Sequence, residues 1–231
     1  MPNGNNPKQP SLILSFILSV LIAILIVAPT TSAVTFTKVS TGPVATDSGD
    51  SRSVNFIDYD NDGNLDLHIT NGPQLGAKAF LYHGNGDGTF TKISADTLVN
   101  TVAAADGATW ADYDNDGDLD CFVATWWNQK NLLFTNNGNG TFTRVGTGLI
   151  VTENTYSEAA SWGDYDQDGF LDIYICNSFN VLQNPFYKNN GDGTFTKITT
   201  GPQSTDGGKS RVGIWGDYDN DNDIDLSLIH I

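Results

Sequence analysis

The chain has 231 residues, 11% of them aromatic, enough to bury a sizeable core in one or two domains. Its 27 acidic residues outweigh 11 basic ones, and the net charge of -16 opposes binding to a nucleic-acid backbone or to phospholipid headgroups. The acids are concentrated, with 18 of 25 Asp in four nine-residue stretches, whereas Glu153 and Glu158 are the only glutamates. A merely solvated acidic surface would use both acids, so short carboxylates placed for geometry point to cations.

Taken in order, Met1 to Ala33 reads as an export signal, residues 1–33. It has a weakly cationic start carrying Lys8, an apolar run from Leu12 to Ala28, then Pro29 and the small residues Thr31, Ser32 and Ala33. The rival reading is an uncleaved membrane anchor, because the apolar run sits at the lower edge of what spans a bilayer, roughly 17 residues. Either reading puts the remainder outside the cytoplasm, as a secreted, surface or periplasmic protein, with the N-terminal segment its one route to a membrane.

From Val34 onward the chain repeats. The stretches Asp58 to Asp66 (DYDNDGNLD), Asp112 to Asp120 (DYDNDGDLD), Asp164 to Asp172 (DYDQDGFLD) and Asp217 to Asp225 (DYDNDNDID) start 54, 52 and 53 positions apart. Thr35 to Asp58 aligns without a gap on Thr194 to Asp217, and a Phe stands 22 residues before every loop: Phe36, Phe90, Phe142 and Phe195. A unit of this length has room for four short strands. In the third copy, one strand is expected to end at Ala160 to Gly163, the second to cover Leu171 to Ile175 and the third Pro185 to Lys188. The fourth, Thr194 to Ile198, follows the turn Asn190-Gly191-Asp192-Gly193. Val34 to Val39 has a fourth-strand sequence, and no later stretch has sustained helical periodicity. The expected fold is all-β, built of propeller blades of four antiparallel strands, with about three and a half to four blades over residues 34–225.

The recurring aromatics at loop position 2 (Tyr59, Tyr113, Tyr165, Tyr218) and two residues before the loop (Phe56, Trp110, Trp162, Trp215) read as packing between sheets. Trp126 and Trp127 lie in a variable connection without counterparts, where a binding surface would be built. Cys121 and Cys176 read as buried small residues rather than a disulfide. His68, His83 and His230 form no ligand-spaced cluster, and no catalytic constellation can be assigned.

Alternating Asp with Gly at position 6 is what a flexible loop needs to wrap a hard cation in oxygen ligands. Position 12 holds Ile69, Val123, Ile175 and Leu228 where an EF-hand needs Glu, and the flanks are strands. Several carboxylates in a pliable loop suit Ca2+ better than Mg2+. The expected ligands are Asp58, Asp60, Asp62, Asn64 and Asp66; Asp112, Asp114, Asp116, Asp118 and Asp120; Asp164, Asp166, Asp168, Phe170 and Asp172; and Asp217, Asp219, Asp221, Asp223 and Asp225. Phe170 has no side-chain oxygen, so position 7 is expected to offer its backbone carbonyl. Position 8 (Leu65, Leu119, Leu171, Ile224) would anchor the loop, and Asn222, replacing Gly, still tolerates a left-handed backbone.

These loops and the NNGDGTFTKI hairpins resemble the FG-GAP or VCBS repeats of extracellular β-propellers, including integrin α-subunit heads. The resemblance covers Val34 to about Leu226 and implies up to four Ca2+ ions, one per loop, bound by positions 1, 3, 5, 7 and 9 between the first two strands of a blade. The literal Phe-Gly and Gly-Ala-Pro signatures of integrins are missing, which speaks against integrin-like ligand binding. Family propellers usually have seven blades, so the chain is expected to be a fragment. Leu226 to Ile231 (residues 226–231) matches the translation of a common sequencing adapter, so a non-native tail is expected there. The leading functional expectation is a non-enzymatic binding or adhesion scaffold with structural Ca2+ and an extracellular protein or glycan as partner. The alternatives are the non-catalytic portion of a carbohydrate-active enzyme and a lectin-like propeller using Trp110, Trp126 and Trp127.

Overall fold

The computed structural model describes residues 35–179, 183–205 and 208–230. The expectations for Met1 to Ala33, for Val34 and for Ile231 lie outside them. Compactness divides the chain into Met1–Lys38 and Val39–Ile231. In the first unit, Thr35 to Lys38 forms no strand and Phe36 is exposed. Over Thr35 to Val39 the expected fourth strand is therefore not formed: a β sequence needs a neighbour to receive its backbone hydrogen bonds.

The second unit is a row of propeller blades. Blade one pairs Ser51–Ile57, Asp66–Asn71, Phe80–Gly84 and Phe90–Ile93 in sequence order. Blade two repeats this with Ala105–Ala111, Asp120–Thr125, Leu132–Asn136 and Phe142–Arg144, and blade three with Ser157–Gly163, Asp172–Asn177, Phe186–Asn189 and Phe195–Ile198. Every pairing is antiparallel, and Ser210–Gly216 with Asp225–His230 forms a two-stranded fourth unit. The first strands of successive blades stand side by side as axial strands. Ser53 Oγ accepts from Ala108 N at 3.2 Å and Thr70 Oγ1 donates to Asp106 O at 3.2 Å, joining blade one to blade two.

The hairpins follow from their glycines. Asn190 N donates to Thr194 O at 3.0 Å, enclosing Gly191 and Gly193 with φ of 73° and 79°, where a side chain would be strained. Asp192 takes up the turn by accepting from Thr194 N at 3.0 Å. A single helical turn precedes blade one at Pro43–Thr46, and each connection from a fourth strand to the next first strand contains another, at Thr97–Asn100, Leu149–Thr152 and Pro202–Thr205. These turns are too short to show a periodicity in the sequence.

The repeating aromatics pack blade against blade, as expected. Tyr59 meets Phe142 at 5.8 Å, Tyr113 stacks on Trp162 at 6.2 Å, and Trp215 meets Tyr174 and Phe186 of blade three. Phe56 and Tyr218 occupy the same registers where no described blade covers them, and both are exposed. Cys121 and Cys176 are free and fully buried.

His68 is the misfit of this core. Its ring is fully buried beside Trp110, neither nitrogen has a partner, and burial pushes its pKa down to about 4. Phe122 and Tyr174 hold the same register in the next two blades. His68→Phe is expected to stabilise the protein by about 1 to 2 kcal/mol, because two unpaired polar atoms leave the interior. Urea titration at pH 7 checks this; an unchanged or lower midpoint would show that the imidazole has a role in the core.

Candidate metal centre

Each Asp loop links the end of an axial strand to the second strand of its blade, and one network repeats in all four. The position-1 carboxylate accepts the backbone N–H groups of positions 5 and 6. Asp112 Oδ1 takes Asp116 N at 3.0 Å and Oδ2 takes Gly117 N at 2.9 Å; Asp58, Asp164 and Asp217 do the same. This closes the loop at position 6, where Gly63, Gly117 and Gly169 have φ of 87°, 97° and 89°. Asn222 adopts 75° in the fourth loop, as its tolerance of a left-handed backbone predicts.

Position 9 starts the second strand and is sealed inside in the three complete blades. Asp120 Oδ2 accepts Tyr113 N at 3.1 Å and Oδ1 accepts Asn136 N at 2.8 Å, the latter from the end of the third strand. Asp66 receives Tyr59 N and Gly84 N, and Asp172 receives Tyr165 N and Asn189 N. Asp66, Asp120 and Asp172 are all at 0% exposure. Burial outweighs these hydrogen bonds and pushes the carboxyl of Asp120 up to about 7 and that of Asp172 up to about 6; Asp66 rises too.

Positions 1, 3 and 9 converge. Carboxylate oxygens of Asp58, Asp60 and Asp66 lie within 4.8 Å of one another, as do those of Asp112, Asp114 and Asp120, of Asp164, Asp166 and Asp172, and of Asp217, Asp219 and Asp225. At such a separation each carboxylate pair repels by about 3 kcal/mol at an effective dielectric of 20. One oxygen each of Asp60 and Asp114 is buried without a hydrogen-bond partner. The donor set of clustered carboxylates and unpaired buried oxygens fits a hard divalent cation.

Positions 5 and 7 are arranged differently. One oxygen of Asp62, Asp116, Asp168 and Asp221 accepts the position-7 backbone N–H of Asn64, Asp118, Phe170 and Asp223. Position-7 side chains turn elsewhere: Asp118 Oδ1 accepts from Asn61 at 2.7 Å, and Asn64 Nδ2 donates to Asp62. The loops also differ in what the third strand brings to them. His83 Nδ1 stands 3.2 Å from Asp60 and 3.3 Å from Asp66 in loop one. The Lys188 ammonium sits on Asp166 and Asp168 in loop three, and Thr135 holds the matching register in blade two, bonded to Tyr113 Oη.

The family profile of FG-GAP-like repeats matches residues 72–123 and 112–175, spanning the second and third loops whole. Residues 72–175 of this chain are FG-GAP-like repeats. It is 27% identical over 169 residues to cartilage acidic protein 1 of Xenopus tropicalis and 26% identical to that of Homo sapiens, covering 69% of this chain and 25% of each relative. The chain therefore spans about a quarter of the length of these relatives. Among solved structures, a lectin from Agrocybe aegerita, described for its specific recognition of non-reducing terminal N-acetylglucosamine, superposes with a TM-score of 0.50. It is 16% identical, over 77% of this chain and 46% of the lectin, a likeness of fold.

Two features of these FG-GAP-like repeats escaped the sequence reading. Position 4 holds Asn61, Asn115, Gln167 and Asn220, all at positive φ. Three of their amides reach the next loop: Asn61 Nδ2 donates to Asp118, Asn115 Nδ2 to Gly169 O at 3.0 Å and Gln167 Nε2 to Asn222 O at 3.1 Å. Buried Asn136 and Asn189, closing the third strands, donate to Tyr59 O and Tyr113 O of the preceding loop, each at 2.7 Å. An amide in every copy of position 4 was the available signal.

Proposed function

We propose that the chain is a calcium-stabilised, extracellular binding scaffold in which the ions are structural. The convergence of three carboxylates in every loop, with buried oxygens of Asp60 and Asp114 unpartnered, carries this reading. Positions 1, 3 and 9 would supply side-chain oxygens, and position 5 would add the oxygen that its backbone hydrogen bond leaves over. Position 7 would add a carbonyl, as for Phe170. The ion supplies positive charge that cancels the mutual repulsion of the carboxylates and fixes the turn between two strands. Loop three already shares its acids with the Lys188 ammonium, so its site is the weakest of the three complete blades.

The extracellular placement rests on the export-signal reading of Met1 to Ala33 and on relatives whose name places them in cartilage. The partner is an extracellular protein or glycan, and the scaffold is non-catalytic.

Calorimetric melting at pH 7.5 in chelator, in Mg2+ and in Ca2+ tests the ion. Each site saturated a thousandfold above its Kd stabilises the fold by about 4 kcal/mol. Ca2+ is expected to raise Tm well above the chelated value and Mg2+ to do much less. A melting temperature indifferent to Ca2+ would refute the reading.

A further inference from the structure

The axial strands carry a second constellation at the end away from the Asp loops. Six residues before each loop stand Arg52, Asp106, Glu158 and Arg211. In each blade the pairing with the second strand slips at this point, between Ser51 and Val54, Ala105 and Gly107, Ser157 and Ala159, and Ser210 and Val212. A bulge re-aims the side chain it carries. The four side chains are brought together: Arg52 Nε lies 3.7 Å from Asp106 Oδ1, and Arg211 Nη1 donates to Glu158 Oε1. Trp126 Nε1 donates to Glu158 Oε1 at 2.9 Å and Trp127 packs edge-on against Trp126 at 5.2 Å. These six residues line an open cavity of about 240 Å³.

Trp127 itself is held at φ 58° and is 44% exposed. A bulky residue in that region costs about 1 to 3 kcal/mol and persists where its surroundings impose it, commonly at ligand sites. Trp126 is pinned by two hydrogen bonds, to Glu158 and to Ser178 Oγ at 3.1 Å, and by its edge contact with Tyr156, so the pair presents a fixed indole surface.

We propose that this cavity binds one neutral sugar residue of a glycan. Two guanidinium groups balance two carboxylates, so the lining has no net charge with which to select an anion or a cation. Planar carboxylate and guanidinium groups pair with vicinal hydroxyls in the bidentate fashion they use with each other. The indole of Trp127 offers an apolar face to the C–H side of a pyranose ring. The cavity is smaller than the roughly 300 Å³ at which drug-sized sites begin, which suits a single ring better than a helix or an acyl chain. The proposal rests on the scaffold reading and names the class of its ligand.

The test uses the full chain in saturating Ca2+ on a printed array of neutral and of sialylated or sulfated oligosaccharides, with soluble hits measured by calorimetry. Binding to at least one neutral oligosaccharide is expected. Trp127→Ala, which removes the indole and leaves the backbone at the same positive φ, and the isosteric Asp106→Asn should each weaken it at least tenfold while leaving Tm within a few degrees. Three outcomes would overturn the proposal: a folded, calcium-responsive protein that binds no neutral glycan, one that binds only acidic glycans, or neutral-glycan binding undiminished in Trp127→Ala. Neutral-glycan binding by a protein whose Tm ignores Ca2+ would support the sugar site and count against the calcium reading alone.

Discussion

Replacing Asp120 by Ala is expected to destabilise the protein by about 4 kcal/mol, in chelator as well as in Ca2+. The carboxylate is fully buried and its two oxygens accept Tyr113 N and Asn136 N, so the substitution strands two buried donors. Each hydrogen bond to a charged group is worth roughly 1.5 to 3 kcal/mol, and an unsatisfied buried partner adds its desolvation cost. Asp114→Asn should behave oppositely. Its unpartnered oxygen faces the same cluster, so removing that charge relieves repulsion without breaking the frame. In chelator Asp114→Asn should be at least as stable as the parent, and in Ca2+ it should be less stable. Melting both variants in both buffers separates frame from ion. If Asp120→Ala were harmless in chelator, the position-9 carboxylate would hold nothing but the ion.

The calcium-free protein is expected to gain stability on mild acidification, contrary to ordinary acid denaturation. Asp120 and Asp172 have carboxyls raised to about 7 and about 6, and the partly buried Asp106, beside Glu158, lies at about 6, all above an unfolded value of about 3.9. For a raised carboxyl the native state holds more protons than the unfolded one, so stability is lost as pH climbs through the folded pKa and regained below it. His68 opposes this, because a depressed imidazole loses stability as pH falls from about 6.5 toward 4. From pH 7.5 to 5 the net gain should be about 3 kcal/mol, and more in His68→Phe. In Ca2+ the sign should reverse, since protons then compete with the ion. Urea midpoints across that range in chelator check this; a midpoint falling steadily from pH 7.5 to 5 would mean that the buried carboxylates are stabilised as anions without metal.

The blade architecture was legible because its signals are local. The Asp loop, the Gly-rich turn before Phe195 and the Phe 22 residues before each loop recur at fixed spacing, and each is tied to one feature of backbone geometry. The third copy shows the limits: its second strand runs Asp172–Asn177 and its third Phe186–Asn189, each one residue later at its start than the pattern implies. What stayed hidden depends on neighbours. The bulge at Asp106 and Glu158 breaks the two-residue alternation from which a side chain's direction is read, so the sequence does not show that the charged quartet converges. Asn136 and Asn189 look like turn residues, and only the adjacent blade reveals carbonyls waiting for them. Thr35 to Val39 shows the converse, a good strand sequence that forms no strand without a partner.

The position-4 amides also bear on how such a protein can lengthen. Asn115 gives a hydrogen bond to the loop ahead, while its own loop receives one from Asn61, and loop three likewise receives from Asn115 and gives through Gln167, so blades two and three carry both halves of the same joint. A duplicated blade inserted anywhere in the row would find the carbonyl it needs on one side and the amide on the other. Gene duplication could therefore add blades without inventing a new interface, and the Asn-to-Gln change at Gln167 shows the joint surviving a side chain one methylene longer.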